Sequence, residues 1–168
     1  MEATVANKGY FPMFFDISGK EIIVFGGGNI ASRRIKTLLM FDADVHLVSP
    51  DYNDDLDEYI CSGKIKYDRR KYTKGEINKP FFVIAATDDH DVNNDIYNEC
   101  KEKDILVNVI SDVEKCDFHF PGIAKNDNVV IGVNAGGYSH KVAKQVTVAA
   151  RELLNQQEEL TNESLHRK

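Results

Sequence analysis

The apolar positions along the chain change period several times, and each change predicts an element. Ile22 to Phe25 is a β-branched and aromatic run that stops at three glycines, as a strand does on entering a tight turn. From Asn29 to Met40 the residues Ala31, Ile35, Leu38 and Leu39 recur at the spacing of one helix face. "DVHLVSP" predicts a second strand, and Asp51 to Ser62, acidic at its start with Leu56, Tyr59 and Ile60 on one side, predicts a short helix. "KIKYDRR" is a third, less buried strand. "PFFVIAATDD" is an unbroken apolar run of the kind found in central parallel strands. Val92, Ile96 and Cys100 then mark a helix, and "ILVNVIS" a fifth strand. This alternation predicts an α/β fold with a parallel sheet wound in βαβ units.

After Asp112 the pattern differs. "DFHFPGIAKNDNVVIGVNAGG" predicts two strands joined by a polar turn at Lys125 to Asn128. Ser139 can cap a closing helix with an apolar stripe of Val142, Val146, Ala149 and Leu153, and beyond about Asn155 the sequence turns polar and is expected to fray. The expected division is residues 1–112, a smaller α+β segment over 113–156 and a polar tail over 157–168. Two strands and one helix cannot bury both faces alone, so the second segment should pack on the first domain or on another subunit.

Composition adds exclusions. The formal charge of −6 argues against nucleic-acid or anionic-membrane partners, so an anionic ligand must be met by a local cationic cluster. Cys61, Cys100 and Cys116 are odd in number and widely spaced, which implies neither a disulfide framework nor a four-thiolate zinc site. No apolar stretch approaches the ~20 residues of a membrane span, and the N-terminal sequence lacks the features of a signal peptide. A cytoplasmic protein is expected. Cys116 and His119 have C-x-x-H spacing, but no second pair completes a structural metal site; transient Fe²⁺ capture by Asp112 and His119 is the residual metal reading.

The chemistry is concentrated at strand ends. Gly26, Gly28 and Ala31 form G-x-G-x-x-A between a strand and a helix, the pattern that seats a dinucleotide pyrophosphate on a helix N-terminus. The acid expected at the end of the second strand is absent: Ser49 stands there, with Asp51 nearby as either a ribose ligand or a helix cap, so NAD and NADP both remain open. Thr87 and Asp88 follow the fourth strand, and Asn108 and Ser111 leave the fifth at the same edge, outlining a floor for a nicotinamide ring. For Thr87 and Asp88 the plain alternative is a helix cap.

Four blocks, "FPMFFDISGKEIIVFGGGNIASRRIKTLL", "VIAATDDHDVNN", "VNVISDVEKCDFHFPGI" and "AGGYSHKVA", resemble the precorrin-2 dehydrogenases of sirohaem synthesis from about Tyr10 to about Leu154. The resemblance implies a Rossmann domain followed by a dimerisation segment, an interlocked homodimer, and NAD-dependent oxidation of precorrin-2 to sirohydrochlorin, with Fe²⁺ insertion as a further activity of some members. It implies cofactor contacts at Asn29, Ile30, Pro50, Asp51, Thr87, Asp88 and Asn108. In relatives the position of Ser111 is commonly an aspartate proposed as general base. Here Asp112, one residue on, is the carboxylate available, and Ser111 and Asp112 are the catalytic candidates. Because precorrin-2 carries eight carboxylates, Gly136 and Gly137 with His140, Lys141 and Lys144 are the expected substrate contacts, ahead of Arg33, Arg34 and Lys36; each cation could also be a solvated helix face. The readings from other classes are a regulatory nucleotide-binding module and a non-catalytic tetrapyrrole carrier.

Overall fold

The computed structural model describes residues 9–136 and 139–166, with side chains as far as Gln157. Residues 15–119 form one compact unit. Its elements are β1 (Glu21–Phe25), α1 (Asn29–Leu39), β2 (Asp44–Val48), a 3₁₀ turn (Asp54–Leu56) running into α2 (Asp57–Cys61), β3 (Ile65–Asp68), β4 (Phe82–Ala85), α3 (His90–Glu102) and β5 (Leu106–Val109). All five strands pair in parallel in the order β3-β2-β1-β4-β5. That order reverses between β1 and β4, and a doubly wound sheet opens a ligand crevice at the carboxyl ends of the strands there.

Alternation along the strands explains the core. Ile23, Phe25, Val83, Ala85, Val107 and Val109 share one face of the sheet and pack with Ile96 and Cys100 of α3. Ile22, Val24 and Ile84 are fully buried on the opposite face. The edge of β5 is closed by the segment after it: Asp117 N–H donates to the Val107 carbonyl at 3.0 Å, Val107 N–H donates to the Asp117 carboxylate at 2.9 Å, and Val109 N–H donates to Cys116 Sγ at 3.4 Å. Lys101 Nζ pairs with both oxygens of Asp117.

The other unit is built around β6 (Gly122–Lys125), β7 (Val130–Val133) and α4 (His140–His166), the strands forming an antiparallel hairpin. Ser139 Oγ accepts from Val142 N–H at 3.3 Å, as a cap should. The helix runs past Asn155 to His166, in keeping with the strong helix formers Gln, Glu and Leu in that stretch. The buried face is also displaced by one residue from the expected stripe. Thr147 and Leu154 turn inward, and the missing side chain of Gly122 makes room for Thr147, where a Cβ would collide with its hydroxyl. Val142, Val146 and Leu153 are left about half exposed. Among the described residues no helix is long and apolar enough to cross a membrane.

Candidate functional site

A cleft of about 800 Å³ lies at the order reversal, bounded by the glycine turn, the loop after β2 and the β4–α3 turn. Gly26, Gly28, Asn29, Ile30, Ser49, Pro50, Asp51, Thr87 and Asp88 all line it. The three glycines serve different purposes. Gly26 has φ +99°, and a Cβ there would meet the Ala86–Thr87 backbone. At Gly27 a Cβ would overlap the Asp51 carbonyl and crowd Tyr52. Gly28 has an ordinary φ of −72° and no atom within 4 Å of a built Cβ, so the chain itself does not require glycine there. The α1 N-terminus beside it has no side-chain cap and no acid in its first turn. Free N–H groups, the positive helix end and an open approach over Gly28 fit the pyrophosphate of a dinucleotide. Gly28→Ala should therefore leave thermal stability unchanged or slightly raised while lowering dinucleotide affinity about tenfold or more, whereas Gly27→Ala should lower the melting temperature. Calorimetric titration alongside thermal unfolding of both variants checks this.

The β2 end is a scaffold for that turn. Ser49 is 4 % exposed and donates its hydroxyl to the Asp51 carbonyl at 2.5 Å, so its side chain holds the loop rather than reaching for a ligand. The Asp51 carboxylate accepts from Tyr52 N–H at 2.9 Å, and Asp51 is one of the residues lining the cleft. It is not the helix cap; Asn53 is, accepting from Asp55 N–H at 2.9 Å. Asn53 also ties the two loops together, its N–H donating to the Gly27 carbonyl at 2.8 Å and its amide to Asn29 Oδ1 at 2.6 Å.

At the ends of β4 and β5 the roles are redistributed. Asp89, not Thr87 or Asp88, caps α3, accepting from Asp91 and Val92 N–H. Asn93, 1 % exposed, joins Thr87 to Ser111 through a set of hydrogen bonds. Asp112 caps the 3₁₀ turn Val113–Lys115 through Glu114 N–H at 3.0 Å, and its other oxygen lies 3.6 Å from Lys115 Nζ. Its side chain is 41 % exposed. Asn108 is placed differently from the expectation: it points to the α1 face of the sheet, 2 % exposed, accepting from Arg34 and donating to the Phe118 carbonyl at 2.6 Å, and it is not among the residues lining the cleft. Alternation in β5 explains this, because Val107 and Val109 occupy the other face. Arg34 is correspondingly drawn inward, and burial lowers its guanidinium pKa to about 10. It is a structural partner of Asn108 and not a solvated cation awaiting substrate.

Lys71, Tyr72, Glu99 and Asn93 contribute to the site without being singled out by the sequence pattern. Lys71 and Tyr72 line the cleft from the loop before β4, with the Tyr72 ring edge-on to Phe25 at 5.1 Å. That loop is held by the buried Glu99 of α3, whose carboxylate accepts from Tyr72 O–H at 2.5 Å, Gly75 N–H at 2.8 Å, Ile77 N–H at 2.8 Å and Lys103 Nζ at 2.6 Å. For Asn93 a signal existed: with Ile96 and Cys100 it completes an i, i+3, i+7 face, so a polar residue occupies a core-facing position.

In the second unit, Gly136 has φ +60° and its N–H donates to Asn134 Oδ1 at 2.8 Å, while Gly137 lies outside the described residues. His140, Lys141 and Lys144 are exposed on the first turns of α4. Lys36 is paired with Asp55 at 2.8 Å. Among the described residues no group of three His, Cys, Asp or Glu is placed to hold a metal ion.

A family model described as putative NAD(P)-binding matches residues 13–122. A precorrin-2 dehydrogenase of Bacillus subtilis (strain 168) is 33 % identical over 144 residues, covering 86 % of this chain and 88 % of that protein. The chain belongs to the precorrin-2 dehydrogenase family. It is also 41 % identical over 146 residues to a probable multifunctional siroheme biosynthesis protein HemA of Ruminiclostridium josui, covering 86 % of the chain and 28 % of the relative. A siroheme synthase of Nitrosococcus oceani is 33 % identical over 147 residues, 88 % of the chain and 31 % of the relative. The chain thus spans less than a third of the length of these two relatives. The solved structure of "SirC, precorrin-2 dehydrogenase" superposes with a TM-score of 0.71 at 26 % identity, over 83 % of this chain and 69 % of that one. The five-stranded Rossmann-like sheet expected from the sequence is the observed fold.

Proposed function

We propose that the chain oxidises precorrin-2 to sirohydrochlorin with NAD⁺, as a homodimer in the cytoplasm. The observation that carries the reading is the open approach over Gly28 at the uncapped start of α1, in a chain that matches nearly the whole of a precorrin-2 dehydrogenase. A dinucleotide held by Gly26, Gly28, Asn29 and Ile30 would supply the hydride acceptor. The Asp51 carboxylate on the β2 side favours NAD over NADP, because a 2′-phosphate would meet like charge there. The oxidation releases one hydride and one proton from the substrate. Asp112, a partly exposed carboxylate just after β5, takes the proton, and the Ser111 hydroxyl beside it donates a hydrogen bond. His140, Lys141 and Lys144 meet the substrate's carboxylates. The exposed stripe of Val142, Val146 and Leu153 supports burial against a second copy, and three free cysteines suit a reducing compartment.

The test is an anaerobic incubation of purified protein with precorrin-2 and either NAD⁺ or NADP⁺. Sirohydrochlorin absorbance should rise in step with NADH, more slowly with NADP⁺, and light scattering should give a dimer mass. No turnover with either cofactor would remove the dehydrogenase reading, and a monomer mass the homodimer.

A further inference from the structure

Asn93 occupies a position in which its carboxamide can point only one way. Its Oδ1 accepts from Thr87 N–H at 3.1 Å and from the Thr87 hydroxyl at 2.8 Å, and its Nδ2 donates to the Thr87 carbonyl at 3.0 Å and to Ser111 Oγ at 3.3 Å. A flipped amide would set NH₂ against the Thr87 N–H and oxygen against the Thr87 carbonyl, so backbone groups decide the orientation. At 1 % exposure the side chain has no water to substitute for any of these partners. The Ser111 oxygen is therefore an acceptor toward Asn93. Its own proton is directed away from Asn93; Ser111 is exposed and follows Ile110, the last residue of the β5 end that lines the cleft, without lining it itself.

We propose that Asn93 is a positioning residue that fixes the Ser111 hydroxyl as an outward hydrogen-bond donor for an oxygen acceptor, a carboxylate of the substrate or the carboxamide of the cofactor. This rests on the dehydrogenase reading above. A hydroxyl that already accepts from an amide is a weaker base and a better-aimed donor, so the serine does not stand in for an aspartate as proton acceptor. Thr87 serves the same end from the other side: its hydroxyl has acceptors in Asn93 Oδ1 and the Asp89 carbonyl, the latter at 2.9 Å, so it braces the turn and leaves Ser111 as the outward donor of the pair.

The test compares Ser111→Ala, Asn93→Asp and the double variant, with Asn93→Ala as a harsher control. Asn93→Asp keeps the shape but sets a carboxylate oxygen against both the Thr87 carbonyl and Ser111 Oγ, and only the serine can answer by turning its proton inward. Each single variant should lose about tenfold in kcat, the scale of one hydrogen bond, and the double variant should lose no more than either. In Asn93→Asp, activity should partly recover on acidification as the introduced carboxyl takes up a proton and can donate again, a limb absent from wild type. A rise in KM for precorrin-2 assigns the acceptor to the substrate, and a rise for NAD⁺ assigns it to the cofactor. Independently of turnover, both side-chain amide protons of Asn93 should be protected from solvent exchange in ¹⁵N-labelled protein, and Ser111→Ala should expose one of them. Additive losses, no acid limb, or two rapidly exchanging amide protons would overturn the role of Asn93 while leaving the dehydrogenase reading intact. A wild-type protein without dehydrogenase activity would overturn both.

Discussion

Asp112→Asn is expected to lower kcat by about a hundredfold or more, and Ser111→Ala by only about tenfold, because a general base contributes far more than a single hydrogen bond. The substitution at Asp112 is clean. Asparagine is as good a cap as aspartate, so the contact with Glu114 N–H that organises Val113–Lys115 is retained while the charge is lost. The ion pair with Lys115 at 3.6 Å contributes little at this exposure, and Lys115 keeps Asn94 and the Tyr97 ring, at 5.6 Å from its centroid, as partners. Stopped-flow measurement of NADH formation under anaerobic conditions, with thermal unfolding of both variants as a control, gives the ranking. A larger loss for Ser111→Ala would transfer the proton to the serine position.

Glu99 is the site of the second large effect, this one on stability. Burial alone would raise the pKa of its carboxyl, but donation by Lys103, Tyr72, Gly75 and Ile77 outweighs burial and holds it at about 2, against an ordinary 4.5. A group depressed in the folded state contributes stability that is fully present above the unfolded value and is lost as pH falls through the folded one. The window runs from about 4.5 down to about 2, and the shift corresponds to about 3 kcal/mol. Glu99→Gln should therefore cost roughly that amount near neutral pH, and the gap from wild type should shrink as acid is added. Urea unfolding of both proteins near neutral pH and at about pH 3 measures it; a gap independent of pH would mean that packing, not charge, sets the contribution of Glu99. Because the same carboxylate holds Tyr72, the variant should also loosen one wall of the cleft.

How far the site was legible in the sequence follows from what each residue depends on. The glycine turn and the strands rest on local spacing, and the parallel pairing on the alternation of strands with helices, and those features read directly. Gly27 did not, because its need for glycine arises from contact with Asp51 and Tyr52, which are distant along the chain. Asn108 was assigned to the cleft because it sits near the carboxyl end of a strand, but one residue of register decides which face it serves, and Arg34 is waiting on the other. The stripe on α4 was offset for a related reason. Val142, Val146 and Leu153 are the more apolar set, yet the hairpin accepts Thr147 against Gly122, a small-residue fit that hydropathy cannot rank. Lys71 and Tyr72 lie in a charged loop without period, and that loop takes its shape from distant groups, the buried carboxylate of Glu99 on its N–H groups and Lys103 on the Gly75 and Ile77 carbonyls.

The seal along β5 has a consequence for how copies of the chain can meet. With Asp117, Cys116 and Phe118 already taking up the hydrogen-bonding groups of Val107, Val109 and the Asn108 side chain, that end of the sheet offers no ladder on which a strand from a neighbouring molecule could add. Open-ended growth by strand addition is blocked there, so a contact between copies at this end of the sheet has to be made by side chains.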